Sequence, residues 1–180
     1  MDQPKAILTD KTHYILVEDF VYEWKMQAQD ADDESRILTL INKIVVKQGF
    51  RWDGASVPKI LWGLGFKPDG DHRAAALVHD FIYIYKGKLP EGSMLSSYDD
   101  KKEQVQYGSF SRKDSDRMFG RMMREAGVPK FRRTLMKWAV QLFGWLYWKD
   151  GTDIFRNTFI KFAIVLALLF LTFRAAYDLF

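Results

Sequence analysis

The chain has 180 residues, 48% of them hydrophobic, and a formal net charge of +4. That length fits one domain with a short appendage, and the apolar fraction fills a sizeable core. With no cysteine, disulfide frameworks and zinc-thiolate sites are excluded, and any metal must take oxygen or one of three histidines, His13, His72 and His79.

The charge is unevenly spread. Residues 1–100 carry 12 basic and 16 acidic side chains, net −4, whereas residues 101–150 carry 12 basic and 5 acidic, net +7. Nucleic acid and anionic lipid both suit such a patch, as does a solvated helical surface with no partner. Met1-Asp2-Gln3-Pro4-Lys5 leads into polar residues without an apolar h-region, so no signal peptide is expected.

Residues 14–24 (YILVEDFVYEW) mix β-branched and aromatic residues with acids and predict a strand. Gln27 to Ser35 is polar and acidic, as a hairpin loop would be, and residues 36–50 hold a second strand with room for a third. The first third therefore predicts a small antiparallel sheet. Arg51 to Pro58 reads as an ordered loop, the glycine pair Gly63 and Gly65 follows, and Lys67-Pro68-Asp69-Gly70 marks a turn. A helix is expected from a cap at Asp71 to about Tyr85.

Gly87 to Gly108 is polar and turn-rich and predicts a surface loop. Ser111 to Ala126 predicts a second helix, stopped by Gly127 and Pro129, and residues 130–148 a third, strongly apolar and aromatic. The fold class is thus α+β: a small N-terminal antiparallel sheet, then three helices, then a hydrophobic C-terminal helix. The expected divisions are a domain over 1–150, a linker over 151–158 and the terminal helix over 159–180.

Phe162 to Phe173 is free of charge and bracketed by Lys161 and Arg174. Its 12 residues make a helix of about 18 Å, against a hydrocarbon core of about 30 Å. Extension over Phe159–Phe180 reaches spanning length, with Lys161 and Arg174 placed to snorkel. The expectation is a single-pass C-terminal anchor, with a buried core helix as the alternative. Trp138, Trp145, Tyr147 and Trp148, mixed with Lys130, Arg132, Arg133 and Lys137, fit either an interfacial helix beside a membrane or an aromatic core helix. The same cations favour a cytoplasmic side for the domain, in a host inner membrane or a virion membrane.

The chemistry-bearing residues lie in Ala75–Tyr83 and Ser115–Phe119. On a helix His79 and Asp80 point about 100° apart, so they take different tasks. Tyr83 shares the face of His79 and is placed to hydrogen-bond into the site. Asp116, three residues before Phe119, lies beside the apolar stripe of its helix, where a carboxylate needs a partner such as an imidazole N–H. That pairing would fix the tautomer of His79 and raise its basicity. Asp80 and Asp53 are candidate oxygen ligands for Ca²⁺ or another divalent cation; Ser56 adds an oxygen or a cap. A buried polar network that merely specifies the fold accounts for the same residues.

Gly49-Phe50-Arg51-Trp52-Asp53-Gly54-Ala55-Ser56-Val57-Pro58, Ala74–Tyr83 and Ser115–Phe119 together resemble an uncharacterised domain family (domain of unknown function 1353), found mostly in tailed phages and prophages. The resemblance covers residues 10 to 148 and implies a phage or prophage origin rather than an activity. The pattern A-A-x-x-H-D-x-x-Y with a later Asp is also similar to phospholipase A2, especially the cysteine-free parvoviral type. That second resemblance implies His79 as the base for water, Asp80 as a Ca²⁺ ligand and Asp116 as the group orienting His79. Its calcium loop would fall on Trp62-Gly63-Leu64-Gly65, where Leu64 and Phe66 depart from the phospholipase signature.

The expectations divide between a membrane-associated hydrolase acting on lipid and a non-enzymatic, membrane-anchored phage protein, structural or host-modifying. Nucleic-acid binding by the +7 segment has no recognised motif behind it, and its aromatics follow an apolar spacing rather than a stacking platform.

Overall fold

The computed structural model describes residues 2–9, 13–29, 37–52, 70–98, 104–105 and 109–150. Among the described residues, seven strands and three helices follow in the order β1 (Ala6–Leu8), β2 (Tyr14–Leu16), β3 (Phe20–Gln29), β4 (Ile37–Val46), β5 (Arg51–Trp52), α1 (Arg73–Ile84), β6 (Met94–Tyr98), β7 (Gln104–Val105), α2 (Arg112–Glu125) and α3 (Lys130–Asp150). The class is α+β, but with two sheets rather than one. The strands β1-β2-β5 form a small sheet and β3-β4-β6-β7 a larger one, with every pairing antiparallel.

The stretch expected as one strand over 14–24 is divided between the two sheets. The division falls at Val17-Glu18-Asp19, where Asp19 accepts hydrogen bonds from the backbone N–H of Gln48 and from Lys47, both at 2.8 Å. Gly49, at φ +85°, closes that turn and donates to the carbonyl of Leu16. The chain is thereby pulled out of the small sheet and into the larger one. Residues 36–50 then give one long strand, not two, paired with β3 from Phe20↔Val46 to Gln29↔Ile37.

Alternation in β3 and β4 decides which face is covered. Phe20, Tyr22 and Trp24 are buried, and their partners Val46, Ile44 and Asn42 are buried with them. On the other face Glu23 meets Lys43 at 3.8 Å.

The segment expected as a surface loop over 87–108 holds β6 and β7, a correction to the sequence reading. Its serines hid the strand. Ser96 and Ser97 are buried, and the Ser96 hydroxyl donates to Asn42 Oδ1 at 2.7 Å across the β4–β6 ladder. Polar residues enter a sheet interior when they satisfy one another.

α1 starts one residue later than expected: His72, not Asp71, occupies the cap position and makes no side-chain cap bond. The start is held instead by the N-terminal segment. Gln3 donates to the carbonyl of Asp71, and the Arg73 guanidinium donates to that of Pro4. Ala74, Ala75 and Ala76 are buried, so the helix lies close on the sheets, packed on β4 and β5. α2 has a reciprocal cap, in which the Ser111 hydroxyl accepts from the Asp114 N–H and the Asp114 carboxylate accepts from the Ser111 N–H. One core cluster joins both sheets to all three helices, from Leu16 and Ile44 through Leu77 and Ile82 to Met122 and Met136.

Residues 53–69 and 151–180 lie outside the described residues, and with them Asp53, Ser56, the glycine pair and the expected terminal helix. Among the described residues no helix is long and apolar enough to cross a membrane.

The register between α1 and α2 is set at Gly87. That residue has φ +79°, and a Cβ there would run into the carbonyl oxygen of Phe110, whose N–H donates to the Gly87 carbonyl at 2.9 Å. The end of α1 is thus bound to the entry of α2, and the helices run antiparallel from there. We expect Gly87→Ala to destabilise the fold by about 2 kcal/mol or more, because backbone strain and steric overlap coincide. Chemical denaturation checks this; a change under about 0.5 kcal/mol, the range of ordinary surface substitutions, would refute it.

Candidate functional site

Because α1 and α2 leave Gly87 and Phe110 side by side, residues near the end of α1 face residues near the start of α2. His79 and Tyr83, one turn apart, both reach Asp116. His79 Nε2 lies 3.2 Å from Asp116 Oδ1, and the Tyr83 hydroxyl donates to the same oxygen at 2.6 Å. The second oxygen, Oδ2, has Arg112 Nη1 at 3.6 Å, one turn back on α2. The structure therefore brings His79, Tyr83 and Asp116 together.

Rings enclose the imidazole. Tyr83 lies over it at 4.1 Å between centroids, and Phe119 at 4.9 Å on α2. α3 closes the site beyond Tyr83. Trp148 meets the Tyr83 ring edge-on at 5.1 Å, and Gly144 lies so close that a Cβ would collide with the Tyr83 hydroxyl. Arg112 also donates to the carbonyl of Gln141, so α2 and α3 are tied beside the same carboxylate.

The two edges of the imidazole differ. Asp116 is 3% exposed, the His79 side chain 8% and Asp80 26%, so Asp80 is the less buried of the two acids. Nδ1 lies 3.6 Å from Asp80 Oδ1. With Nε2–H donating to a carboxylate, the neutral ring carries its lone pair on Nδ1, pointed toward a second carboxylate. Two acceptors then face each other, an arrangement relieved by a proton, a cation or a donating water.

This explains the titration. Burial pulls the His79 pKa down, but the hydrogen bonds and charges of Asp116 and Asp80 outweigh it, and the net shift is upward. For Asp116 burial pulls up, and His79, Tyr83 and Arg112 together take it below the usual carboxylate value. Burial and the Asp116 carboxylate push the Tyr83 phenol up, so it remains a donor.

Asp80 places one carboxylate beside His79. Among the described residues no group of three or more His, Asp or Glu is placed to hold a metal ion. Calcium takes six to eight oxygens, so a single carboxylate does not make a calcium site, and Asp53 lies outside the described residues.

Sequence reasoning missed Arg112 and Gly144. A signal existed for each: Arg112 stands four residues before Asp116, the spacing of a helical ion pair, and Gly144 is a lone glycine inside an apolar helix, which marks close approach.

A family model described as "Protein of unknown function (DUF1353)" matches residues 14–140, and the chain belongs to that family. All of the described site except Gln141, Gly144 and Trp148 falls within the match. No curated protein and no solved structure matches the chain.

The opposed shifts fix a pH window. His79, raised in the fold, stabilises it fully below its unfolded value of 6.5, and this contribution is lost as pH rises through the folded pKa. Asp116, lowered in the fold, stabilises it above 3.8, and this contribution is lost as pH falls through the folded pKa. The pair thus contributes most between those two values. We expect Asp116→Asn to flatten the fall in stability above pH 6.5, measured as melting temperature against pH. An unchanged alkaline limb would mean that His79 does not titrate through this carboxylate.

Proposed function

We propose that the protein is a membrane-associated hydrolase of phage or prophage origin that cleaves lipid esters by a phospholipase A2-like route. The observation that carries this reading is the polarity of His79: one ring nitrogen held by the buried Asp116 carboxylate, the other 3.6 Å from Asp80, the more exposed of the two acids.

In this reading Nδ1 is the general base. A water donating to Nδ1 also lies against Asp80, which helps orient it. As the water oxygen bonds to the ester carbonyl carbon, its proton passes to Nδ1, and Asp116 stabilises the resulting imidazolium through Nε2–H. Collapse of the tetrahedral species breaks the carbon–oxygen bond to the leaving alkoxide, which takes the proton back from Nδ1. The products are a fatty acid and a lysolipid. Tyr83 and Arg112 hold Asp116 ionised and in place. A divalent cation at Asp80 and Asp53 would supply stabilisation of the developing oxyanion. The lipid substrate fits the apolar run at 162–173, read here as a membrane anchor, and the basic segment before it.

A second reading is favoured by how fully Asp116 is engaged. Its partners come from α1 and α2, and two of them, Tyr83 and Arg112, also contact α3, which is how a fold-specifying network is built. On that reading the protein is a non-enzymatic, membrane-anchored phage component.

The test is fatty-acid release from mixed phosphatidylglycerol–phosphatidylcholine vesicles, with Ca²⁺ and with chelator. Wild type should release fatty acid, faster as pH rises through the folded His79 pKa, which is raised above 6.5, because the base must be unprotonated. His79→Ala should lose roughly a hundredfold or more, the typical contribution of a positioned base, measured at a temperature where the variant remains folded. Equal rates in wild type and His79→Ala would end the hydrolytic reading. A sharp drop in melting temperature for both His79→Ala and Asp116→Asn, with no hydrolysis in wild type, would establish the second.

A further inference from the structure

α3 carries a surface that the hydrolytic step does not use. Phe131, Leu135 and Trp138 are 76%, 37% and 61% exposed. At about 100° per residue they fall within an arc of about 60°. Met136, Val140 and Gly144, on the opposite side, face the core and Tyr83. An isolated exposed apolar residue is ordinary, but two aromatics and a leucine in one stripe make a contact surface.

Charge identifies what the stripe contacts. Lys130 and Lys137 lie along one flank of it and Arg132 along the other, each about 100–120° from Phe131. All three belong to the 101–150 segment with its net charge of +7. A helix with an aromatic and aliphatic stripe between cationic flanks lies in the plane of an anionic lipid surface, rings at the headgroup boundary and ammonium groups on phosphates. A second copy of this chain fits less well, since stripe-to-stripe pairing would bring cationic flanks together. The chain also continues from α3 toward the apolar run at Phe162–Phe173, only 12 residues past Asp150.

We propose that the outer face of α3, made by Phe131, Leu135 and Trp138 between Lys130, Lys137 and Arg132, docks flat on a membrane containing anionic phospholipid. This rests on the membrane association proposed above but not on hydrolysis.

The chain has no cysteine, so single cysteines can carry an environment-sensitive fluorophore. In the full chain reconstituted into vesicles, a label at Leu135→Cys should shift to the blue and be quenched by acyl-brominated lipid when phosphatidylglycerol is present. Both effects should weaken at least severalfold in pure phosphatidylcholine or in 1 M salt. A control label at Arg124→Cys, on the exposed surface of α2, should do neither. Adding Phe131→Ser and Trp138→Ser should abolish the response at Leu135→Cys and leave the hydrolysis of a soluble short-chain ester unchanged. Equal quenching at both labels, or a response indifferent to phosphatidylglycerol, would overturn the proposal. So would energy transfer between labels that rises with protein concentration, the signature of a second copy. His79→Ala should keep the docking response, which separates failure of docking from failure of the hydrolase.

Discussion

The Asp116 carboxylate is the constraint around which the helical half is arranged. An ionised carboxylate at 3% exposure is costly unless donors replace the water it has lost. Here they are the Tyr83 hydroxyl and His79 Nε2–H on one oxygen, with the Arg112 guanidinium near the other. None is dispensable in the usual sense: removing one partner leaves the buried charge in place with fewer donors, which is worse than never having buried it. The carboxylate therefore requires one particular spacing of α1 against α2. It also reaches α3 indirectly, through Arg112 on the Gln141 carbonyl and Tyr83 under Gly144 and Trp148.

That spacing is delivered by the backbone, not by the charged groups themselves. Gly87 allows the chain leaving α1 to press against Phe110, so the antiparallel register exists before any site side chain is considered. The reciprocal cap of Ser111 and Asp114 then fixes where α2 begins, and so where Asp116 falls on it. A site assembled from residues 37 positions apart is thus governed by two local features at the helix ends.

This division explains what was legible in the sequence. The pairing of His79 with Asp116 could be anticipated because each sits on an apolar helical face and each needs a buried partner. The helices were clear for the same reason, with start and stop residues at Ser111, Gly127 and Pro129. The sheets were less clear. The break at Val17–Asp19 depends on hydrogen bonds to Lys47 and Gln48, nearly thirty residues away, and no local pattern in 14–24 carries that information. β6 looked like loop because its buried Ser96 is stabilised by Asn42 on another strand. Gly144 signalled a close approach as a lone glycine in an apolar helix, but its partner, Tyr83, is fixed only by the packing of α3.

α3 joins the two proposed activities physically. Its inner side has Gly144 against the Tyr83 hydroxyl and Trp148 against the Tyr83 ring, while its outer side carries Phe131, Leu135 and Trp138. The inner contact has almost no slack: the position of a Cβ at Gly144 would already lie 3.2 Å from two Tyr83 ring carbons and closer still to the hydroxyl. Packed interiors transmit displacement instead of absorbing it. A force that presses or rolls α3 on its outer side must therefore be felt at the Tyr83 hydroxyl, and through it at the oxygen that also holds His79. The membrane contact proposed for the outer face and the base proposed beneath the inner one are consequently not independent, because one rigid helix lies between them.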